Sequence, residues 1–454
     1  MSTPTETGPA LTRLTDMVNA KDRYDVPPAD LLDTQLEAAN GIFQDRLDKI
    51  PLLKNRAEEG GITSVTSRED LVPLLFAHTA YKSYPEGWLL EKKWDRLGRW
   101  LSTISTNDVK DVDLEGVSDI DDWLSRLEQV GHFLSCSSGT TGKSAMMNST
   151  QADLVWNRKE AMSSFAWGSG SQIGEKRMMF GLGPGSTVAR NNAIRDALIE
   201  GFSDPDLEPF LYPVPPITIG QITGMVALRK AMADGTARPG DMAQFEATSA
   251  ARQKSMDDAL LLSVEALVAN RDKKLLLTGM YANLYKIAEN VRQLGYSAGD
   301  FDPENTIYIG GGLKGAELPA DYREYIAETF NLAPERTFQM YGMQEMNAAM
   351  PRCTSERYHV PAWLMLLLLD ETGENLLPDS TGEVEGRAAF FDLSVHGRWN
   401  GVISGDKIVA DYNPCACGNR SPSIRDNISR YADTPGGDKI SCSGTTDAYV
   451  RGIS

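Results

Sequence analysis

Short apolar runs alternate with helix-patterned segments through the middle of the chain. In residues 273–296 a run of leucines is followed by apolar residues at helical spacing, and a glycine then ends the pattern: Leu284, Ile287, Ala288, Val291, Leu294 and Gly295. Residues 305–332 repeat this order, with a β-branched and aromatic run, three glycines, and a helical pattern that carries Tyr322, Ile326 and Phe330. Strands that alternate with helices predict an α/β fold with parallel strand pairing.

Neighbouring segments extend the alternation in both directions. Residues 153–168 have a helical pattern, and residues 177–202 predict a strand, a glycine-rich turn and a helix. Residues 336–346 predict a further short strand and turn. The α/β region therefore continues on both sides of the two units above.

The flanking regions have different patterns. Residues 1–130 predict mainly helices joined by polar turns, and from about residue 360 the chain is rich in strand patterns separated by Gly, Pro and Asp. The prediction is a helical N-terminal region over 1–130, an α/β core over 131–350, a β-rich subdomain over 351–430 and a hinge with a short tail over 431–454.

Composition and charge narrow the class of protein. The chain has 454 residues, 41% of them hydrophobic and 24% charged, which is typical of a globular protein with more than one subdomain. Its net charge of −18 argues against non-specific nucleic-acid binding, because phosphate backbones attract basic surfaces. An anionic substrate needs a local positive site on such a chain.

The N-terminal sequence and the cysteine content predict a cytoplasmic protein that does not enter membranes. The first thirty residues are polar, without a basic-then-apolar signal, and the longest apolar run, residues 361–369, is far shorter than the ~18 residues of a membrane span. Five cysteines in a large chain without an export signal predict reduced thiols.

A loop rich in hydroxyl groups and glycine is the first candidate site. It reads SSGTTGK and consists of Ser137, Ser138, Gly139, Thr140, Thr141, Gly142 and Lys143. Backbone N–H groups, hydroxyls and one ammonium suit a polyphosphate. Ser137 occupies the place of the first glycine of a P-loop, so the loop is of another kind. The alternative is a surface turn.

Three further motifs follow the loop in a fixed order. They are YGMQE (341–345), SGD (404–406) and SRYAD (429–433). With the loop, they resemble the motifs of the adenylate-forming superfamily, which includes acyl-CoA synthetases and peptide-synthetase adenylation domains. The chain is most similar to the phenylacetate-CoA ligase and luminescence acyl-protein synthetase branch, over roughly residues 60–450. The resemblance implies that family's large N-terminal domain, built of layered α/β subdomains with a small β-rich one.

The resemblance implies a role for each motif in making an acyl adenylate from ATP. The 137–143 loop would hold the β- and γ-phosphates, and Glu345 would bind Mg²⁺, which favours carboxylate and phosphate oxygens. Asp406 would accept hydrogen bonds from the ribose hydroxyls, and Arg430 would pair with ribose or phosphate. Lys143, Glu345 and Arg430 are the implied catalytic residues of these motifs.

The strand ends and the YGMQE motif complete the implied ATP site. Its remaining residues would border the adenine and acyl pockets: Gly311, Gly312, Tyr341, Gly342 and Gln344. Gln344 replaces the threonine of the family motif, although its amide can still contact the α-phosphate. Ser404 and Ser429 replace threonine and glycine, which are smaller changes.

Four cysteine and histidine residues predict a structural zinc site. Cys353 and His359 lie six residues apart, and Cys415 and Cys417 form a C-x-C pair. Three thiolates and an imidazole suit tetrahedral Zn²⁺, and a closed set of four is structural rather than catalytic. Some phenylacetate-ligase-like proteins have a similar arrangement. The alternative is a group of buried free cysteines. His78, His132 and His396 receive no role.

The end of the chain bears on the acyl acceptor. Full acyl-CoA ligases of the family continue into a mobile C-terminal domain, which the sequence predicts to be missing or vestigial here. The luminescence acyl-protein synthetases pass the acyl group to their own C-terminal cysteine, and Cys442 has a comparable position. A frayed tail with a solvent-side cysteine is the alternative.

Three functions therefore remain open. The first is an ATP- and Mg²⁺-dependent enzyme that activates a carboxylic acid and passes the acyl group to Cys442, to an acyl-carrier or reductase partner protein, or to another nucleophile. The second is an acyl-CoA or aryl-CoA ligase whose C-terminal domain is missing or supplied by another chain. The third is an inactive adenylate-binding subunit of a complex.

Overall fold

A computed structural model of the protein describes residues 8–109, 112–136, 144–313, 316–378, 381–434 and 437–438. Its α-helices are α1 (Gly8–Asp16), α2 (Pro28–Arg46), α3 (Pro51–Gly60), α4 (Arg68–Leu71), α5 (Glu86–Leu90), α6 (Trp94–Ser102), α7 (Ile120–Gln129), α8 (Gln151–Ser169), α9 (Ala189–Phe202), α10 (Ile219–Ala233), α11 (Pro239–Ala269), α12 (Tyr281–Gln293) and α13 (Tyr322–Thr329).

The strands complete the secondary structure. They are β1 (Phe76–Ala77), β2 (Phe133–Cys136), β3 (Met146–Ser149), β4 (Met178–Gly181), β5 (Phe210–Leu211), β6 (Leu275–Gly279), β7 (Thr306–Ile309), β8 (Thr337–Tyr341), β9 (Met350–Pro351), β10 (Arg357–His359), β11 (Leu364–Leu369), β12 (Glu383–Asp392), β13 (Gly401–Asp411), β14 (Ser423–Arg425) and β15 (Ser429–Arg430).

A mainly parallel sheet forms the centre of the α/β region. Its strand order is β5-β4-β6-β7-β8-β9, and every described pair is parallel except β8–β9. Side chains alternate between its two faces: Met179 and Leu276 pack with α8 and α9, whereas Phe180, Leu275 and Leu277 pack with α11, α12 and α13. Both faces are therefore covered by helices, which explains the continuous apolar runs of these strands. The predicted α/β fold class is confirmed.

The predicted strand and helix at residues 273–296 are present, with one correction. In α12 the side chains of Leu284, Ile287, Ala288 and Val291 are buried as the pattern predicts. Leu294 is instead 58% exposed, because it is the C-cap residue and lies beyond the last turn. Gly295 follows with φ +90°, a left-handed conformation that ends a helix readily only at glycine.

An antiparallel sheet forms the second layer of the molecule. Its strand order is β10-β14-β13-β12-β11, and β1 and β15 also pair with β13. Among the described strand pairs of this sheet, the β1–β13 pair is the parallel one. Residues of β11 and β12 share one hydrophobic core with the N-terminal helices, as Phe43, Trp100, Leu367 and Phe390 illustrate. The N-terminal helices thus stabilise the sheet that carries the SGD motif, although they are distant in sequence.

Helices α10 and α11 had no counterpart in the sequence prediction. The 31-residue α11 exposes much of its N-terminal half and carries few apolar residues there, so the periodic signal is weak. Among the described helices, none combines the length and the apolar character that crossing a bilayer requires.

Candidate functional site

The β2–β3 hairpin carries the hydroxyl-rich loop. Cys136 and Met146 are paired at the end of the hairpin where the loop joins its two strands, and the Ser144 carbonyl accepts a hydrogen bond from the Tyr84 hydroxyl at 2.8 Å. The predicted phosphate-binding residues 137–143 lie outside the described part of the chain, as does Cys442. The described residues fix the place where that segment leaves and re-enters the core.

Tyr341, Asp406 and Arg430 come together although they lie far apart in sequence. Tyr341 ends β8 of the parallel sheet, and its hydroxyl donates a hydrogen bond to Asp406 Oδ2 at 2.7 Å. Arg430 pairs with Asp406 across β13–β15, and its Nε lies 3.7 Å from Asp406 Oδ1. Burial, followed by the Asp406 charge, raises the pKa of Tyr341, so its hydroxyl remains a donor.

A β-bulge directs Asp406 toward this cluster. The pairs Arg387↔Lys407 and Ala389↔Ile403 leave the three residues of the SGD motif opposite the single residue Ala388. The Ser404 hydroxyl donates to the Ala388 carbonyl at 2.8 Å and accepts from the Asp406 amide at 3.0 Å. Bulges of this kind re-aim a side chain, and here the Ser404 hydroxyl stabilises the bulge through two hydrogen bonds.

Glycines at the end of β7 adjoin the Tyr341 end of β8. The two strands are parallel neighbours, with Ile309 paired to Gln339, so their carboxyl ends meet at one edge of the sheet. Gly310 donates its amide to the Gly279 carbonyl at 2.9 Å, and Gly311 has φ +101°. The predicted Gly311 and Gly312 therefore lie beside the strand end that carries Tyr341 and Gly342.

Glu345 follows Tyr341 by four residues and is a half-buried acid. Desolvation raises the pKa of its carboxyl and the nearby Asp406 charge adds to the rise, while Arg398 and Lys82 act in the opposite direction. The side-chain oxygen of the adjacent Gln344 is buried without a hydrogen-bond partner in the described structure. A buried acceptor of this kind suits a ligand donor or a metal-bound water.

Two arginines, the fully buried Arg398 and the half-buried Arg190, hold the backbone of the YGMQE segment. Arg398 donates to the carbonyls of Gln344 and Glu345 at 3.1–3.2 Å. Arg190, at the start of α9, donates to the carbonyls of Met343, Gln344 and Asn347 at 3.3 Å. Their guanidinium groups therefore fix the main chain on which Glu345 is mounted.

Buried acids complete the support of this segment. Asp392 accepts from the amides of Asn347 and Ala348 at 2.7 and 2.8 Å. Asp153 accepts from the Asn347 side chain at 2.7 Å and from the amides of His396 and Gly397 at 2.8 and 2.9 Å. Because each donor is satisfied by a charged acceptor, the segment after Glu345 is held firmly.

The four predicted zinc ligands converge at a separate place. The ligand atoms of Cys353, His359, Cys415 and Cys417 all lie within 4.8 Å of one another. The Cys353 and Cys415 sulfurs are 3.9 Å apart, close to the about 3.8 Å between sulfurs in tetrahedral zinc coordination. The Cys417 sulfur lies 3.2 Å from His359 Nε2. This donor set fits Zn²⁺.

Neighbouring polar groups orient these ligands. Ser421 Oγ lies 3.0 Å from His359 Nδ1, the nitrogen that faces away from the sulfurs, and the Asn419 amide donates to the Cys417 sulfur at 3.1 Å. Such outer contacts are typical of metal ligands. Cys353 follows the parallel-sheet edge strand β9, whereas the other ligands belong to β10 and the β13–β14 connection, so the cluster links the two sheets.

Comparison with known proteins adds one finding to this geometry. No protein-family profile matches the sequence, and no curated protein sequence matches it either. Solved structures of 2-hydroxyisobutyryl-CoA ligase do match the fold. One, with 2-HIB-AMP and CoA in the thioesterification state, has a TM-score of 0.56 at 14% identity, covering 90% of this chain and 70% of that chain. Another, in the postadenylation state with R3-HIB-AMP, has a TM-score of 0.53 at 14% identity and covers 95% and 74%.

The chain has an adenylate-forming ligase fold. At 14% identity the likeness concerns the fold alone, so it does not assign a substrate or an acceptor. It does agree with the fold that the four ordered motifs predicted.

Sequence reasoning missed the residues that support the site. Arg190 and Arg398 belong to no motif, and the buried acids Asp153 and Asp392 are scattered along the chain. A local signal existed for some of them, since residues 392–400 place closely spaced polar side chains between two apolar strands.

Cys136 is buried, which raises the pKa of its thiol to about 12 and leaves it neutral.

Proposed function

We propose that the protein is an ATP- and Mg²⁺-dependent enzyme that activates a carboxylic acid as an acyl adenylate. The observation that carries the proposal is the meeting of Tyr341, Asp406 and Arg430 at the end of β8, four residues before Glu345. These residues come from motifs up to 89 positions apart (430 − 341), and nothing in their local sequence requires them to meet.

The nucleotide would lie along this edge. Asp406 has a carboxylate whose oxygens face Tyr341 and Arg430, and it would accept both ribose hydroxyls. The adenine would lie between Tyr341 and the glycines that follow β7. Glu345 would hold Mg²⁺, and the unpartnered Gln344 oxygen would accept from a metal-bound water or the ligand. The polyphosphate would extend toward the 137–143 loop.

The proposed reaction is an in-line displacement at phosphorus. An oxygen of the substrate carboxylate forms a bond to the α-phosphorus, the bond from that phosphorus to the bridging oxygen breaks, and pyrophosphate leaves with the electron pair. Bound Mg²⁺ would neutralise the charge that develops on the phosphate oxygens. Arg398 and Arg190 act earlier, because they keep Glu345 in place before the substrate arrives.

Pyrophosphate release tests this proposal directly. A panel of aryl and aliphatic acids with ATP and Mg²⁺ should include at least one acid that stimulates release. Glu345→Gln is the matched variant, since it keeps the size of the side chain and removes the metal-binding charge. If no acid stimulates release while ATP still binds, an inactive adenylate-binding subunit becomes the better interpretation.

The acyl acceptor is a second part of the proposal. A thiolate would attack the carbonyl carbon of the acyl adenylate and release AMP, forming a thioester. The candidate acceptors are Cys442, a carrier or reductase partner protein, and CoA, which the matched ligase structures contain. Intact mass after reaction distinguishes them: self-acylation adds the acyl mass to the wild type and not to Cys442→Ser, whereas CoA-dependent turnover leaves the protein mass unchanged.

We further propose that the Cys353, His359, Cys415 and Cys417 cluster holds a structural Zn²⁺. The support is the convergence of four ligand atoms within 4.8 Å and their polar neighbours Ser421 and Asn419. With all four positions filled by protein, the metal would have no open coordination site for catalysis. Its role would be to keep the edge of the parallel sheet attached to β10 and β14.

A further inference from the structure

A fully buried arginine, Arg387, lies beside the bulge that carries the SGD motif. It precedes Ala388, the residue that faces the three residues of the motif across β12 and β13. Its Nη1 donates a hydrogen bond to the Ser404 carbonyl at 3.0 Å. A bulge disrupts the ladder of backbone hydrogen bonds, and a buried carbonyl left without a donor is costly. The arginine therefore stabilises the bulge that directs Asp406 toward Tyr341.

The same guanidinium contacts the chain that follows the SRYAD motif. Its Nη2 donates to Asp438 Oδ1 at 2.8 Å, so the buried cation has a carboxylate partner from beyond the motif. Nε and Nη2 also donate to the Glu371 carbonyl at 3.2 and 2.9 Å. The guanidinium carbon lies 4.0 Å from the ring centroid of Tyr431, a residue of the motif. One side chain thus contacts both motifs and the chain after them.

Asp438 lies against the SGD motif itself. A Cβ built on Gly405, the glycine of the motif, would lie 3.4 Å from Asp438 Oδ2. Hydrogen bonds connect this residue's neighbour to the SRYAD motif: the Gly437 amide donates to the Thr434 carbonyl at 3.0 Å, and the Thr434 amide donates to the Tyr431 carbonyl at 3.1 Å. The two carboxylate oxygens of Asp438 therefore face the buried arginine and the SGD motif.

The strand that carries Arg430 needs such an anchor. This strand, β15, consists of Ser429 and Arg430 only, and both residues are exposed. Arg430 is paired with Asp406 in the strand register, and its Nε lies 3.7 Å from Asp406 Oδ1. A short strand with few buried contacts opens readily when nothing else holds it. The contacts of Arg387 with Tyr431 and Asp438 hold the chain that continues from this strand.

We propose that Arg387 and Asp438 form a clasp that keeps β15 and the SRYAD motif against the SGD motif, and that the clasp positions Asp406 and Arg430 for the ribose of ATP. This inference rests on the proposed function, because it takes Asp406 as the residue that binds the ribose. Arg387 and Asp438 are positioning residues, and neither belongs to a motif that the sequence singled out. Loss of the Asp438 charge opens the clasp, because it leaves the buried guanidinium without its carboxylate partner.

Equilibrium binding of ATP and 2′-deoxy-ATP tests the clasp. Asp438→Asn keeps the size of the side chain and removes its charge without a substitution at the fully buried arginine. It should weaken ATP binding about 10-fold, as expected for loss of a charge-assisted contact, and bring the affinities of the two nucleotides within about 3-fold of each other. Asp438→Glu should retain most of the wild-type preference for ATP, since it keeps the carboxylate.

Two further variants make the test specific. Glu385→Gln is the matched control, because Glu385 lies on the same strand as Arg387 but has a side chain 56% exposed and pairs with Lys407. It should bind both nucleotides as the wild type does. In an Asp406→Asn background, Asp438→Asn should weaken ATP binding by less than about 3-fold, because the two substitutions remove the same ribose contact and their effects are not additive.

The outcomes separate the clasp from the proposed function. A wild-type preference that persists in Asp438→Asn overturns the clasp and leaves the proposed function standing. Equal losses for the two nucleotides, or additive effects of Asp406→Asn and Asp438→Asn, indicate general damage and also overturn it. Wild-type protein that binds both nucleotides equally removes the assumption about Asp406 and overturns the inference alone. Failure of the wild type to bind ATP overturns both the inference and the proposed function.

Discussion

Arg398 is fully buried, and its guanidinium donates hydrogen bonds to the main-chain carbonyl of Glu345. The arginine thus holds the backbone of the residue rather than pairing with its carboxylate in a short contact. Arg190 contacts the same segment from α9. The metal-binding role proposed for Glu345 requires support of this kind, because small displacements of a side chain that ligates a metal are costly.

Arg190→Lys should therefore reduce activity without removing a group that touches the substrate. Lysine keeps the charge but cannot donate as a fork to several carbonyls, so Glu345 would lose its fixed position. We expect a fall in kcat of about 10-fold or more and a rise in the Mg²⁺ concentration that gives half-maximal rate.

Arg195→Lys is the control for this experiment. Arg195 lies on the same helix, is 38% exposed at the side chain and pairs with Asp196. If both variants show the same Mg²⁺ dependence as the wild type, the arginine does not position Glu345 and its role is limited to stability.

Asp406→Asn should reduce selectivity for the ribose 2′-hydroxyl. The carboxylate accepts hydrogen bonds and carries charge, whereas the amide is a weaker acceptor and presents a donor on its other side. We expect the wild type to prefer ATP over 2′-deoxy-ATP in kcat/KM by about 10-fold or more, and the variant to bring the two nucleotides within about 3-fold. An unchanged preference in the variant would place the ribose elsewhere.

The sequence predicts many individual strands and helices of this fold well, because the buried side of each element leaves a regular spacing of apolar residues in the sequence. The strand at β6 and the inner face of α12 follow directly from the apolar spacing. The motifs are also local, so Tyr341 and Asp406 could be identified as candidate site residues from the short motifs YGMQE and SGD. Their contact at 2.7 Å is known only from the structure.

Long-range support could not be predicted in this way. Arg398 reaches Glu345 across 53 residues, and Asn347 reaches Asp153 across 194. A single sequence carries no signal for such pairs, because each residue in isolation is an ordinary polar residue between apolar strands. The parallel pairing of the two-residue strand β1 with β13 was missed for the same reason.

Metal removal should destabilise the protein through the Cys353, His359, Cys415 and Cys417 cluster. We expect about one zinc ion per chain, as a closed four-ligand site binds, and its loss in Cys417→Ser. The melting temperature should fall, because an attachment between the two sheets disappears. Cys442→Ser is the control and should retain the metal. The assignment would be contradicted if wild-type protein, purified without chelators and supplied with zinc, contained no bound zinc.

Glu160 should make stability depend on pH. It is buried in α8, where its side-chain Oε1 accepts from the Ala349 amide at 2.7 Å and from the Trp363 indole at 3.3 Å. Burial raises the pKa of this group to about 8. The folded protein therefore holds a proton that the unfolded chain has already released, in the window between the unfolded pKa of about 4.3 and about 8.

The sign follows from this difference in bound protons. The contribution of Glu160 is largest below the unfolded pKa and is lost as the pH rises through the folded pKa, by at most about 1.4 kcal/mol per pH unit. Glu160→Gln removes the titration and retains an oxygen that can accept both hydrogen bonds. The free energy of unfolding in urea, measured from pH 5 to pH 8, should fall with pH more steeply in the wild type than in the variant.

Glu200→Gln provides the comparison for this measurement. Glu200 lies on the neighbouring α9 with a side chain 63% exposed, so its removal should leave the slope of the wild type unchanged. Parallel pH profiles for all three proteins would mean that Glu160 is ionised in the folded state, with its charge compensated by nearby Arg190. A steeper fall in the wild type and in Glu200→Gln than in Glu160→Gln would identify a protonated carboxylic acid behind the segment that carries Glu345.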